Sequence, residues 1–160
     1  MRVSVKADYA IRVMAQLAAG PSDGPVTAAS LAKDQDLPLK FLHSVLRELK
    51  GARLVRSTRG PEGGFELWRP AGEISVADVL RAIDGPLVNV HDIGLSELSY
   101  SGAAESLLDV WMATRSSLRN VLEAVTMADL AAGDLPGSVL GLAEQYRSDE
   151  RQRRLRREPG

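Results

Sequence analysis

The chain contains no cysteine. This absence excludes disulfide bonds, zinc sites with thiolate ligands and iron–sulfur clusters held by cysteines. Long hydrophobic runs are absent as well: none approaches the length of a membrane span, and Lys6, Asp8 and Arg12 interrupt the apolar N-terminal stretch, unlike the core of a signal peptide. We therefore expect a soluble cytoplasmic protein that does not bind a membrane.

An excess of either charge is also missing, since 20 basic and 21 acidic residues give a formal net charge of −1. Such a balance argues against a protein that coats nucleic acid by bulk charge and leaves room only for a local basic face. The charges are unevenly placed: residues 37–69 carry seven basic and three acidic side chains, whereas residues 87–147 carry three basic and eight acidic ones. A basic face is therefore expected on the first half of the chain.

The residues that enzymes need are sparse. The two histidines, His43 and His91, lie far apart, and no motif joins a nucleophile to a base. The glycines at 60, 63 and 64 are not followed by the lysine and Ser/Thr pair of a phosphate-binding loop, so we interpret them as turn residues. No enzymatic activity is predicted.

The central part of the chain has the pattern of a winged helix-turn-helix. Two short helical patterns, at residues 27–35 and 40–50, flank a turn in which Pro38 stops one helix and can begin the next. Two strand-like pieces follow, at residues 54–58 and 65–68, joined by a glycine- and proline-rich loop that suits a hairpin. A hairpin directly after a helix-turn-helix predicts a wing.

The helix at residues 40–50 is amphipathic. Leucines and valine lie on one face (Leu39, Leu42, Val45, Leu46 and Leu49), and the remaining positions carry mostly basic, hydroxyl and aromatic groups (Lys40, Phe41, His43, Ser44, Arg47 and Lys50). Such groups can contact phosphates, base edges and a thymine methyl group, while the free N-terminal amides of the helix suit a phosphate. The alternative is an ordinary solvated face with the ring of Phe41 turned inward.

The predicted wing carries its own candidate DNA contacts. Arg56, Arg59 and the tip at Gly60 can reach the sugar–phosphate backbone, and Arg59 is placed to enter a minor groove.

The flanking segments are also predicted to be helical. An amphipathic first helix covers residues 5–19, and a further helix at 74–85 has Ser75 as its N-cap, Asp78 in a capping box and Gly85 as its stop. Residues 105–126 predict a long helix with apolar residues at heptad-like spacing. A homodimer would cover this helix, and the alternative is a core helix within one chain.

The predicted fold is mainly α with a small β-hairpin wing, in four parts. Residues 1–86 form the winged helix-turn-helix domain, and residues 87–104 an irregular loop. Residues 105–147 form the dimerisation helix and short C-terminal helices, and residues 148–160, with five arginines, a fraying helix or disordered tail that could add non-specific attraction to DNA.

Three motifs carry a resemblance to a known family: KADYAIR at residues 6–12, LPLKFL at 37–42 and RGPEGGFEL at 59–67. The chain resembles the winged-helix regulators typified by the iron–sulfur regulator IscR and the nitric-oxide sensor NsrR. The resemblance implies a homodimeric transcription regulator, usually a repressor, whose third helix enters the major groove and whose wing touches the minor groove. By position, the resemblance implies that Lys40, Phe41, His43 and Ser44 lie near bases or phosphates. It also implies that Arg59 and Gly60 lie at the wing.

The chain departs from this family at its sensor. Members with an iron–sulfur cluster bind it through three cysteines in the segment that corresponds to residues 87–104, and this chain has none. Asp8, at the position of a non-cysteine ligand in some relatives, is interpreted as a structural residue that pairs with Arg12. His91 and Asp92 offer two metal ligands, which do not make a site alone. No metal or cofactor is therefore predicted, and any signal would be a small molecule or protein partner at the loop.

The sequence therefore predicts a regulator that binds double-stranded DNA as a homodimer on an inverted repeat, without an iron–sulfur cluster. The alternative is a winged helix that binds a protein partner through the same exposed helix, or a regulator controlled by such a partner or by a small ligand.

Overall fold

A computed structural model describes residues 3–20, 24–87 and 94–157 of the chain. These residues are mostly helical, with one two-stranded antiparallel sheet. In chain order the elements are α1 (Val5–Ala19), α2 (Ala28–Asp34), α3 (Leu39–Gly51), β1 (Val55–Thr58), β2 (Gly64–Leu67), α4 (Val76–Asp84), α5 (Leu107–Leu122), α6 (Met127–Ala132) and α7 (Gly137–Arg157). Short 3-10 turns lie at Ala71–Glu73, Leu95–Glu97 and Gly102–Ala104. The predicted fold class, a mainly helical winged helix-turn-helix, is confirmed.

The core lies between α1, α3, α4 and α6. Fully buried side chains include Met14 of α1, Leu46 of α3 and Met127 of α6. The predicted apolar face of α3 is buried with one exception: Leu39, in the first turn, remains 42% exposed. Burial of these apolar groups is the main favourable contribution to folding.

Helix caps explain where α2 and α4 begin. The hydroxyl of Thr27 accepts a hydrogen bond from the backbone N–H of Ser30, at 3.2 Å. At α4, Ser75 and Asp78 form a reciprocal capping box, and Gly85 ends the helix with a φ of 80°. The predicted cap residues of α4 are confirmed.

The wing is tied to the segment before α2. Val26 and Phe65 exchange two backbone hydrogen bonds, each of 2.8 Å, beside the hairpin. A Cβ atom at Gly64 would lie 2.5 Å from the carbonyl oxygen of Val26, so only glycine permits this approach. At the tip, Gly60 has a φ of 119°. Gly60 is a turn residue, as predicted, whereas Gly64 begins β2 and is required by the close approach of Val26.

The helix predicted at residues 105–126 is shorter than expected, spanning Leu107–Leu122. It ends early because Thr126 adopts an extended conformation, pairs with the backbone of Ser75 and caps α6. Met127 then enters the core, where its N–H donates to the carbonyl of Ile74 at 2.8 Å. The predicted division of the chain had assigned α6 to the dimerisation segment, whereas it packs on α1 of the winged helix.

The C-terminal segment also differs from prediction. Instead of a separate short helix and a tail, predicted at residues 148–160 as a fraying helix or a disordered segment, one helix, α7, continues to Arg157, the last residue described. Glutamate–arginine pairs along the helix support it: Glu144 contacts Arg147 at 3.2 Å and Arg151 at 2.7 Å, and Glu150 contacts Arg153 at 3.9 Å. In the described ranges, no helix combines the length and apolarity needed to cross a membrane.

Candidate nucleic-acid interface

One stripe of α3 faces solvent. Helical spacing places Lys40, His43, Ser44 and Arg47 on the same side, because residues three, four and seven apart share a helix face. Lys40, His43 and Arg47 are exposed and Ser44 is half-buried. Neither Lys40 nor Arg47 has a carboxylate within 4.0 Å among the described residues, so their charges are available to another molecule.

The fifth predicted contact residue of α3, Phe41, lies beside this stripe. Its ring is 36% exposed and meets the ring of Tyr9 edge to face, with centroids 5.5 Å apart and an interplanar angle of 89°. This geometry is a favourable aromatic pairing. Phe41 thus partly joins α3 to α1, as the inward-turned alternative anticipated, while part of its ring remains accessible.

The N-terminus of α3 carries backbone donors that its own cap does not satisfy. Pro38 is the N-cap, and no side chain accepts a hydrogen bond there. The first amides of a helix lack intrahelical partners and, together with the helix dipole, suit a phosphate oxygen.

Side chains of α1 hold the helix-turn-helix in place. Lys6 Nζ contacts Glu48 Oε1 of α3 at 2.7 Å. Arg12 donates to the side chain of Gln35 at 3.3 Å and to its backbone carbonyl, at the end of α2. Asp8 lies 3.8 Å from Arg12, which confirms the predicted pairing. These contacts fix α3 relative to α1 and leave its outer stripe unobstructed.

The predicted wing residues differ in their surroundings. Arg56 forms a 3.0 Å ion pair with Glu66, its cross-strand neighbour, so its charge is partly compensated. Arg59 and Gly60 are exposed at the tip, and Arg59 has no ion pair with a described carboxylate. Lys50 donates to the hydroxyl of Ser57 at 2.6 Å and so links the end of α3 to β1. The stripe and the wing therefore belong to one unit.

Sequence reasoning did not single out Arg53. This residue joins α3 to the wing, is exposed and adopts a left-handed conformation with a φ of 56°. Its basic character counted toward the charge of residues 37–69, but its position between two candidate contact elements became visible only with the structure.

The residues of this chain do not fit an iron–sulfur cluster. The sequence offers no thiolate, and within residues 3–20, 24–87 and 94–157 no group of three or more His, Asp or Glu side chains could hold a metal ion. The sequence candidates His91 and Asp92 lie outside the described residues.

Comparisons with known proteins identify the family and the fold. The model of the Rrf2 family, described as an iron-dependent transcriptional regulator, matches residues 3–133. A protein described as an HTH-type transcriptional regulator, Rv1287 of Mycobacterium tuberculosis, is 55% identical over 150 residues, which cover 94% of this chain and 93% of the relative. Among solved structures, CymR, the global cysteine regulator of B. subtilis, has a TM-score of 0.71 at 28% identity, covering 82% of this chain and 97% of CymR. T. potens IscR has a TM-score of 0.66 at 30% identity, covering 83% and 88%.

Proposed function

Because the chain belongs to the Rrf2 family of DNA-binding transcriptional regulators, we propose that it represses transcription as a homodimer on an inverted-repeat operator. The observation that carries this proposal is the exposed stripe of α3, whose cations have no carboxylate partners among the described residues, joined to an exposed wing tip. The bound dimer would occupy promoter DNA in the cytoplasm and block transcription from that promoter.

The division of labour follows from the chemistry of each group. His43, Ser44 and the accessible part of Phe41 are assigned to base edges in the major groove, because they can donate, accept or contact a methyl group. Lys40, Arg47, Arg56, Arg59 and the backbone at Gly60 are assigned to phosphates. Of these, Arg59 at the tip can also enter the minor groove.

Dimerisation is assigned to α5. None of its residues is buried, and Val110 and Met112 remain 53% and 46% exposed. A two-fold pairing of α5 with α5 would remove apolar surface from water and present two copies of α3 to a two-fold DNA site.

Selection from a random DNA pool, followed by sequencing, tests the proposal with the wild type and two variants. We expect an enriched inverted repeat with the wild type. Arg59→Ala should weaken binding to all sequences alike and reduce the slope of log affinity against log salt concentration by about one, the value for one phosphate contact. His43→Ala should instead change which sequence is preferred. Arg147→Ala, on α7, is the matched control and should behave as the wild type.

An unchanged preference in His43→Ala would contradict its assignment to a base. If no DNA is enriched and any binding is insensitive to salt, the stripe of α3 serves a protein partner, because phosphate contacts must weaken steeply with salt.

A further inference from the structure

A small cavity opens between the end of α4 and the middle of α5. Its volume is about 290 Å³, and it is lined by Arg81, Arg115 and the turn of Gly85, Pro86 and Leu87. Two arginines thus line one concave site that is far from the stripe of α3 in sequence. Cavities of this size, at the small end of ligand sites, admit molecules of a few carbon atoms.

The two arginines differ in how their charges are compensated. Arg81 contacts Asp78 at 3.6 Å and also donates to Glu123. Arg119 binds the same Glu123, and the hydrogen bonds from Arg119 and then Arg81 hold the pKa of that carboxyl below its ordinary value. Arg115, by contrast, has no carboxylate within 4.0 Å among the described residues. The cavity wall therefore carries a cation that no acidic side chain of the described residues compensates.

A second observation lies one helical turn away. Trp111 precedes Arg115 by four residues and therefore shares its face of α5. The indole Nε1 of Trp111 is buried and finds no hydrogen-bond acceptor in the described part of the chain. Trp111 does not line the cavity, so its indole serves as a reporter on the same face of α5 and not as a contact of the ligand.

We propose that this cavity binds a small organic carboxylate, with Arg115 as its main contact and Arg81 as the second. A carboxylate accepts paired hydrogen bonds from guanidinium groups.

The position of Arg81 connects this site to the wing. Asp78, which contacts Arg81, also accepts a 3.1 Å hydrogen bond from Arg69, directly after β2. A ligand that moves Arg81 toward the cavity therefore weakens the contact between Arg81 and Asp78. This in turn changes the contact of Asp78 with Arg69 next to the wing. The role of the ligand as an effector rests on the proposed function, whereas its binding to the cavity does not.

Fluorescence tests the binding in the full chain without DNA. The sequence has two tryptophans, so Trp68→Phe leaves Trp111 as the only one. We expect a saturable change in emission with acetate, succinate or citrate at constant ionic strength. Adding Arg115→Ala should weaken the apparent affinity about tenfold or more, as expected for loss of a charge-assisted hydrogen bond. Arg147→Ala, an exposed arginine that does not line the cavity, should leave the affinity unchanged.

Absence of saturation with all three carboxylates, or equal affinity in Arg115→Ala, would overturn the proposal. Saturation with inorganic phosphate alone would overturn the assignment to carboxylates. For the effector role, the wild type is titrated with its selected DNA, with and without the carboxylate that binds best. A shift in DNA affinity that Arg115→Ala abolishes supports the role, and no shift overturns it while leaving the DNA-binding proposal intact.

Discussion

Phe41 divides its ring between the interior and the proposed DNA surface. The sequence predicted an exposed aromatic contact and, as the alternative, a ring turned inward. The structure gives an intermediate arrangement because Tyr9 supplies an edge-to-face partner from α1. Arg12 in turn lies 5.5 Å from the centre of the Tyr9 ring. Such contacts join residues that are distant along the chain, so helical periodicity within α3 could not reveal them.

Thr126 fixes the start of α6 by a reciprocal capping box. Its hydroxyl accepts from the N–H of Asp129 at 3.2 Å, and its own N–H donates to the Asp129 carboxylate at 2.8 Å. The backbone N–H of Thr126 and then its hydroxyl lower the pKa of Asp129. We expect Thr126→Ala to reduce the free energy of unfolding by about 1 kcal/mol, the usual cost of a lost N-cap. Urea unfolding at neutral pH and fixed protein concentration measures it.

The same variant has an expected pH dependence. Because the pKa of Asp129 is depressed in the folded state, its carboxylate contributes to the free energy of unfolding above the unfolded pKa of about 4. This contribution is lost as the pH falls through the folded pKa. The reduction in the free energy of unfolding caused by Thr126→Ala should therefore be smaller in acid than at neutral pH. Thr126→Ser, which keeps the hydroxyl, should match the wild type both at neutral pH and in acid. A deficit that is equal for serine and alanine would show that the methyl group, and not the cap, is responsible.

Among the elements, those of the winged helix were predictable to within one or two residues. Their signals are local: Thr27, Ser75 and Gly85 mark helix ends, and the turn residues from 59 to 64 mark the hairpin. The ends of α5 and α7 were not predictable, because they depend on other parts of the fold. The extended conformation of Thr126 depends on pairing with Ser75, and the ion pairs of α7 form only when the segment is helical.

The helix α7 contributes little to the core. Among the described residues, none of its side chains is buried, and Leu140 and Tyr146 are 47% and 67% exposed. We expect a chain truncated after Arg147 to unfold with the same free energy as the full chain, within about 0.5 kcal/mol, because surface changes of this kind rarely cost more. Circular dichroism should show reduced helix content, and urea unfolding should give the free energy.

A core substitution provides the contrast for this truncation. Met127→Ala removes a fully buried side chain of α6 and should cost about 2–5 kcal/mol in the same assay. A truncation that destabilises the chain as much as Met127→Ala would mean that α7 packs as an integral part of the fold.

Across the whole molecule, a basic segment that contains α3 and the wing is followed by an acidic segment in the C-terminal half. Residues 37–69 carry a net of +4, and residues 87–147 a net of −5. Under the proposed function, this separation would direct the first segment toward DNA and keep the second away from it, because the phosphate backbone repels acidic side chains. Trp111 and Leu118, two of the apolar residues at heptad spacing in α5, are half-buried within the single chain. The exposed apolar residue Val110 remains for an interface between chains, and Met112, two positions on, lies on a different side of α5.

Val110 provides the test of the proposed dimer. We expect the wild type to sediment with the mass of two 17.2 kDa chains and Val110→Asp to sediment as one, because a charge placed in an apolar interface must be desolvated without a partner. Leu142→Asp is the matched control, since Leu142 is 54% exposed, nearly the same as Val110 at 53%, but lies on α7. It should remain a dimer. Dissociation of Leu142→Asp with an intact Val110→Asp dimer would move the interface from α5 to α7, and a monomeric wild type would leave α5 without its proposed partner. The monomeric variant should also lose most of its affinity for the inverted repeat, because each half-site would then be bound independently.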